Sequence, residues 1–234
     1  MTPVRWGILS TARIATQKLI PAMHKSAAIE VVAIASRTVD AAQAAASALG
    51  IPVAHGSYEA LIDDPRIKAI YNPLPNPLHV PLTLAAVRAG KHVLCETPFA
   101  LHAAEVEVLR PYATQVHIRE AFMVRHHPQW QAAREHIRRG EIGPLRFMHA
   151  AFGYFNDDAA NIRNRADLGG GALYDIGCYA VAAGRWFFEA EPQQVAAAWA
   201  RSACVTSDCS SWAAAGASRS KSRSTRPRPS PATT

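Results

Sequence analysis

Through residues 4–120, short continuous apolar runs alternate with stretches of helical spacing. Val4–Leu9, Glu30–Ser36, Ala69–Asn72 and His92–Cys95 read as strands. Ile14–Met23, Val39–Leu49 and His79–Ala89 read as helices, the last two followed by Gly50 and Gly90, where a left-handed cap is easy. A short helix over Val106–Tyr112 and a strand over Gln115–Glu120 complete the series. A strand with one wet face alternates polar and apolar residues, whereas a continuous Val/Ile/Ala run is buried on both faces. Runs of that kind alternating with helices predict an α/β fold with a doubly wound parallel sheet.

Beyond about Ala121 the pattern changes. Pro128–Arg139 reads as a helix ended by Gly140, and Leu145–Tyr154 as a longer strand. A polar stretch (Asn156–Asp167), a glycine triplet, a helix over Tyr174–Phe187 and a strand over Gln194–Arg201 follow. Two strands are too few to close a separate core. The last 33 residues hold nine Ser, six Ala, four Thr and three Pro, with Val205 and Trp212 almost the only large apolar groups. Such a segment buries too little surface to offset its ordering entropy and is predicted to be disordered. The predicted division is 1–120, 121–201 and 202–234.

Composition adjusts this picture in three places. Hydrophobic residues at 49% and charged residues at 18% describe a largely globular chain of 234 residues. The net charge of +7 is unevenly placed: residues 202–234 contribute five basic side chains against Asp208 alone, a net of +4. The rest of the chain is nearly balanced, and no aromatic residue is interleaved with the basic run, so nucleic acid is not an expected partner. No apolar run reaches the ~18 residues that cross a bilayer, and no charged-then-apolar leader opens the chain, so a cytoplasmic protein without membrane contact is expected. Cys95, Cys178, Cys204 and Cys209 match neither a CxxC metal site nor a disulfide scaffold; no metal is expected.

Three segments carry candidate chemistry. Gly7-Ile8-Leu9-Ser10-Thr11-Ala12 stands between the first strand and first helix, where dinucleotide-binding folds place G-x-G-x-x-G/A. Leu9 replaces the middle glycine; Gly7 suits a tight turn, Ala12 close helix packing, and Ser10 and Thr11 offer hydroxyl donors near a helix N-terminus. An ordinary strand–helix turn is the competing reading. Ser36 and Arg37 end the second strand, where NAD-selective domains put a carboxylate on the ribose. A hydroxyl and a guanidinium there suit the 2′-phosphate of NADP, with NAD still possible, or else Arg37 is simply a solvated arginine. Tyr71–His79 (YNPLPNPLH) follows the fourth strand, with Asn76 either a helix cap or a ligand-facing residue.

Taken with WGILSTARIA (6–15), ASR (35–37), GKHVLCETPFAL (90–101), EAFMVRHHPQ (120–129) and GGGALYDIGCY (169–179), these segments resemble the Gfo/Idh/MocA oxidoreductase family. Within it the chain is most similar to the NADP-dependent sugar (xylose) and dihydrodiol dehydrogenases. The resemblance implies a Rossmann domain followed by an α+β domain with an open sheet, incomplete here. It implies hydride transfer between a nicotinamide and a secondary alcohol or hemiacetal carbon of a sugar, polyol or dihydrodiol. Tyr179 is then the acid/base group, with Asp175 four residues earlier on one helix face and Arg163 on the substrate side. Gly7, Ser10, Thr11, Ala12, Ser36, Arg37, Tyr71, Pro73, Asn76, His79, Glu96 and Thr97 are implied to face the cofactor, and a homodimer through the open sheet is an expected partner if that sheet is complete enough.

Two features depart from the family pattern. Its Glu-Lys-Pro signature reads Glu96-Thr97-Pro98, so the charge that would activate a tyrosine is missing. His79 or Lys91 are the nearby candidates to replace it. Strand periodicity also stops after residue 201, the pattern that a reading-frame shift would leave. Three functions therefore compete: an NADP-dependent dehydrogenase, a catalytically weak NADP-binding remnant, and an acidic-partner or nucleic-acid binder acting through the basic segment.

Overall fold

The computed structural model describes residues 2–197 and 210–213. Six strands, β1 (Val4–Leu9), β2 (Ile29–Ala35), β3 (Val53–His55), β4 (Ala69–Asn72), β5 (His92–Cys95) and β6 (Ile118–Glu120), form one sheet in the order β3-β2-β1-β4-β5-β6. Every pairing in it is parallel. This is the order of a doubly wound nucleotide-binding sheet, in which strands run outward in both directions from the first.

Successive residues of the strands feed opposite cores. Ile8, Ile34 and Tyr71 enter one cluster with Ile20 and Met23, while Leu9, Ala33, Ala35 and Ile70 enter the other with Leu61 and Ile67. Both faces are therefore dry, which is why the strands read as uninterrupted apolar runs. Helices α1 (Ile20–Met23), α2 (Val39–Leu49), α3 (Tyr58–Ile62), α4 (His79–Arg88) and α5 (Ala103–Val106) connect the strands. Thr38 caps α2 by accepting from Ala41 N at 3.4 Å, and Ser57 caps α3 by accepting from Ala60 N at 3.1 Å.

Several elements differ from the sequence reading. β3 and α3 are three and five residues long, too short to show a period, and had no counterpart in it. Residues 15–19 are wound as a π-helix before α1. The helix expected over 106–112 is a 3₁₀ segment, Glu107–Tyr112, because Pro111 removes an amide donor. The strand expected over 115–120 starts only at Ile118, since Val116 N is taken by Tyr112 O in a turn.

After β6, α6 (Pro128–Arg138) and α7 (Cys178–Phe188) pack through Trp130 stacked on Phe187 at 5.4 Å. Arg134 lies over the Trp186 ring at 3.9 Å and is ion-paired with Glu189 at 2.5 Å. The long strand expected over 145–154 shortens to β7 (Phe147–Ala150), which pairs antiparallel with β8 (Ser210–Ala213). Residues 210–213 were expected to be disordered. They are a strand instead, because ladder bonds come from the backbone and β7 offers an open edge. Residues 202–209 and 214–234 lie outside the described residues. Of the strand expected at 194–201, residues 194–197 are not a strand and 198–201 are not described. Among the described residues no helix is long and apolar enough to cross a membrane.

Candidate active site

Parallel strands place every carboxyl end on one edge of the sheet, and the candidate residues collect there. Ser10, Thr11 and Ala12 follow β1, Ser36 and Arg37 follow β2, Pro73 follows β4, and Glu96 and Thr97 follow β5. Ser10 adopts φ = +103°, a conformation that side chains rarely take, and its hydroxyl accepts from Ala12 N at 3.0 Å to hold the turn. Leu9, aligned with the motif's middle glycine, is wholly buried in the core, so Ser10 is the residue that takes the glycine-like conformation. Gly7 lies inside β1 and not at the turn. A Cβ there would come within 2.6 Å of Ile67 Cδ1 and 2.8 Å of Leu61 Cδ2, so packing explains this glycine.

Of the residues expected to face the cofactor, Gly7, Ser36, Tyr71, Pro73 and His79 are buried. Tyr71 is fully buried and its hydroxyl donates to Glu96 Oε1; burial first and the Glu96 charge second push its phenol far above the usual value. His79 is also buried, with Nδ1 at 2.7 Å from Pro98 O and Nε2 at 2.6 Å from Leu74 O. Burial pushes its ring down and the two carbonyls partly offset this. His79 therefore braces the loops after β4 and β5. Lys91 spends its ammonium on Asp64 O (2.7 Å) and Ile67 O (2.9 Å). Neither supplies the charge that Thr97 lacks.

Asn76 is not the helix cap. Its Nδ2 donates to Gly169 O at 2.8 Å, joining residues 93 apart in sequence. The glycine triplet makes that junction possible: Gly169 has φ = +67°, and a Cβ on Gly170 would meet the carbonyls of Ile162, Arg163 and Arg165 at 2.5–2.7 Å. Tyr174 adds a second tie, donating to Leu101 O at 3.2 Å. These contacts bring the glycine-rich turn against the carboxyl edge.

The segment after the triplet, Leu173–Gly177, is a π-helix leading into α7. Such widened turns recur at functional sites. Here Asp175 and Tyr179 both line a cavity of about 570 Å³ with Arg163, walled by Trp130, Phe152 and Met123. Tyr179 Oη lies 3.3 Å from Thr97 Oγ1, a long hydroxyl–hydroxyl contact that joins the cavity to the end of β5. The Tyr179 ring packs on Phe122 at 4.8 Å and edge-on against Phe152 at 6.2 Å. Burial pushes its phenol up, the Thr97 hydroxyl pulls it partly back, and Cys178, Glu96 and Asp175 push it further up.

Asp175 is fixed from both sides. Arg163 Nε donates to Oδ1 at 2.8 Å and the Tyr154 hydroxyl donates to Oδ2. Burial and that bond push the Tyr154 phenol up to about 12. Tyr154, Phe122 and Phe152 were not singled out from sequence; only the fold brings them to Asp175 and Tyr179. The combination can hold a small hydroxylated molecule. Acceptors and donors at Asp175, Arg163, Asn156 and Asn161 meet aromatic walls that suit the apolar faces of a sugar ring.

Comparison with known proteins gives the family and the fold. Residues 4–126 match the GFO_IDH_MocA profile, described as an oxidoreductase family with an NAD-binding Rossmann fold, and residues 130–215 match the GFO/IDH/MocA C-terminal domain. An uncharacterized oxidoreductase, ORF334, of Rhizobium meliloti is 48% identical over 197 residues, covering 83% of this chain and 59% of that protein. The D-xylose 1-dehydrogenase (NADP(+)) 2 of Haloferax volcanii is 44% identical over 185 residues, covering 78% of this chain and 56% of its own. Among solved structures, KijD10, a 3-ketoreductase from Actinomadura kijaniata in complex with NADP and TDP-benzene, superposes with a TM-score of 0.73 at 37% identity. The superposition covers 79% of this chain and 57% of that one. The chain thus spans less than two thirds of the length of the relatives it matches.

Proposed function

This chain belongs to the GFO/IDH/MocA oxidoreductase family, and from that premise we propose that it is an NADP(H)-dependent oxidoreductase of a sugar, polyol or related diol. The observation that carries the reading is the junction of Thr97, at the carboxyl end of β5, with Tyr179 at the wall of the cavity. One element of the nucleotide-binding sheet and one titratable hydroxyl of the second region meet at a single point.

The residues at the sheet edge fit a dinucleotide phosphate. The hydroxyls of Ser10 and Thr11 stand at the first strand–helix turn, and after the buried Ser36 the exposed Arg37 and Thr38 offer a guanidinium and a hydroxyl with no carboxylate among them. That donor set favours a 2′-phosphate over a bare ribose. When bound, the nicotinamide supplies or receives the hydride. The protein's own part is to hold the substrate between Asp175, Arg163 and the aromatic walls, and to exchange the hydroxyl proton at Tyr179 Oη. Asp175, clamped by Arg163 and Tyr154, positions the substrate hydroxyls. A dimer through the sheet built on β7 is part of the same proposal.

Fluorescence titration with NADPH and NADH, followed by turnover assays on aldoses, diols and keto-sugars, tests the assignment. NADPH should bind at least about tenfold more tightly than NADH, a difference of about 1.4 kcal/mol. Equal affinities would remove the NADP assignment, and no binding of either would remove the function.

A further inference from the structure

The proposed function gives no part to Glu120, Ala121 and Phe122, the residues that open the segment EAFMVRHHPQ. They lie where β6 ends. β6 pairs with β5 so that Glu120 stands opposite Cys95, and Ala121 N donates to Cys95 O at 2.7 Å. That register brings Glu120 beside Thr97-Pro98-Phe99, the segment that leaves β5. Phe99 N donates to Glu120 Oε1 at 2.9 Å. Two positions further, where an extended chain returns to the same side, Phe122 is buried and its ring meets that of Tyr179 at 4.8 Å. One strand end thus reaches both partners of the Thr97–Tyr179 contact, the first through the Phe99 amide and the second through the Phe122 ring.

Among the described residues, three side chains hold Thr97-Pro98-Phe99. Glu96 accepts from Thr97 N at 3.3 Å, but it is the adjoining residue and moves with the segment. His79, at the start of α4, bonds Pro98 O at 2.7 Å. Of the three, Glu120 is the one whose own strand end also packs on Tyr179. We infer that the end of β6 sets how Thr97 and Tyr179 meet, with Glu120 as a positioning residue that acts through the Phe99 amide. The inference rests on the oxidoreductase reading above and adds the group that aligns its two halves. Pro98 fixes one backbone angle between Phe99 and Thr97, so a displaced Phe99 carries Thr97 with it. A shift of about 1 Å at a reacting site can cost about 10²-fold in rate. Glu120 bonds the backbone and not the cavity, so its loss belongs in kcat rather than in binding.

The test has two arms on the full chain. In the first, exchange of the Phe99 amide is followed by NMR in the free protein, because protection reports the bond that Glu120 accepts. Glu120→Ala should speed it about tenfold or more, and Glu120→Gln, which keeps an oxygen for the amide, should restore protection. In the second, an aldopentose is oxidised with NADP. Glu120→Ala should lower kcat by about 10–10²-fold, with substrate KM and NADPH affinity within about twofold of wild type, and Glu120→Gln should recover most of the loss. Because Glu120 acts through Thr97, adding Thr97→Val to Glu120→Ala should lower kcat by much less than the product of the two single effects. Equal protection of the Phe99 amide in all three proteins overturns the inference. So does a glutamine variant as slow as the alanine one, or a double variant whose losses multiply in full. Failure to turn over the aldopentose while NADPH binds counts against the substrate class, and amide exchange still decides the role of Glu120.

Discussion

The region up to β6 and the region after it are built on different principles. In the first, Ile8, Leu9, Ile20, Ile34, Leu61, Ile67 and Ile70 are at 0% exposure and form two cores on either side of one sheet. In the second, α6 buries no residue and α7 buries only Ala183 and Gly184 within the helix, while Phe147 is 61% and Phe155 71% exposed. The first region carries most of the buried apolar core. The second is held in place chiefly by discrete ties to the first: Asn76 to Gly169, Tyr174 to Leu101, and Tyr179 to Thr97. In the proposed function, dinucleotide binding falls to the sheet edge of the first region and proton exchange to a segment tied to it by these polar contacts.

The largest effect should come from opening a core of the first region. Ile34→Ala leaves a cavity beneath the sheet and should cost about 2–5 kcal/mol of stability, read by urea unfolding. Phe155→Ala, in the second region, should change it by no more than about 0.5 kcal/mol. Equal losses would mean that the two regions share one core.

Charge pairs should divide the same way. Asp64 is buried and receives Arg66 Nε at 2.9 Å and Nη2 at 2.6 Å, with His55 at 3.1 Å. The Arg66 bonds hold its carboxyl well below the usual carboxylate range. Its folded value is thus below its unfolded one, so the stabilisation is present above the unfolded value of about 3.9 and fades as pH falls through the folded one. Asp64→Ala should cost about 1.5–3 kcal/mol at neutral pH, with the gap to wild type closing on acidification. Breaking the exposed pair Arg165–Asp167 (2.6 Å) should leave urea unfolding nearly unchanged at any pH, because solvent screens both groups.

The polar ties should matter more for catalysis than for stability. Asn76→Ala removes the bond to Gly169 O and should cost about 1 kcal/mol or less globally, yet loosen the turn that carries Asp175. The expected signature is a rise in substrate KM with NADPH affinity unchanged. The smallest structural effect belongs to Arg37→Asp, which touches no core. It should leave urea unfolding unaltered and reverse the preference between NADPH and NADH.

How much of this was legible in the sequence follows the same division. The bounds of β1, β4 and β5 are those expected, because strands buried on both faces write their burial as unbroken apolar runs. α2 likewise announces itself between Thr38 and Gly50. The second region wrote little, since β7 is short and half-exposed and its partner strand lies in a stretch without periodicity. Site residues divided by where their contacts come from. Asp175 and Tyr179 sit in one recognisable block and Arg163 in the polar stretch before it, and the three do share one cavity. Tyr154 was missed because its importance is a bond to a residue 21 positions away. Tyr71, inside β4, and His79, the first residue of α4, were expected to face the cofactor, but which way a side chain turns is set by packing.

In the proposed function the first region binds the dinucleotide and Tyr179 of the second moves the proton. Measuring NADPH affinity by fluorescence and reductive turnover for Tyr179→Phe on the same preparation tests it most directly. The substitution keeps the ring that packs on Phe122 and Phe152 and removes only the hydroxyl. Turnover should fall by about 10²–10⁴-fold, the usual worth of a general acid, with NADPH affinity within about twofold of wild type. Turnover that survives, or affinity that falls in step with it, would contradict the account.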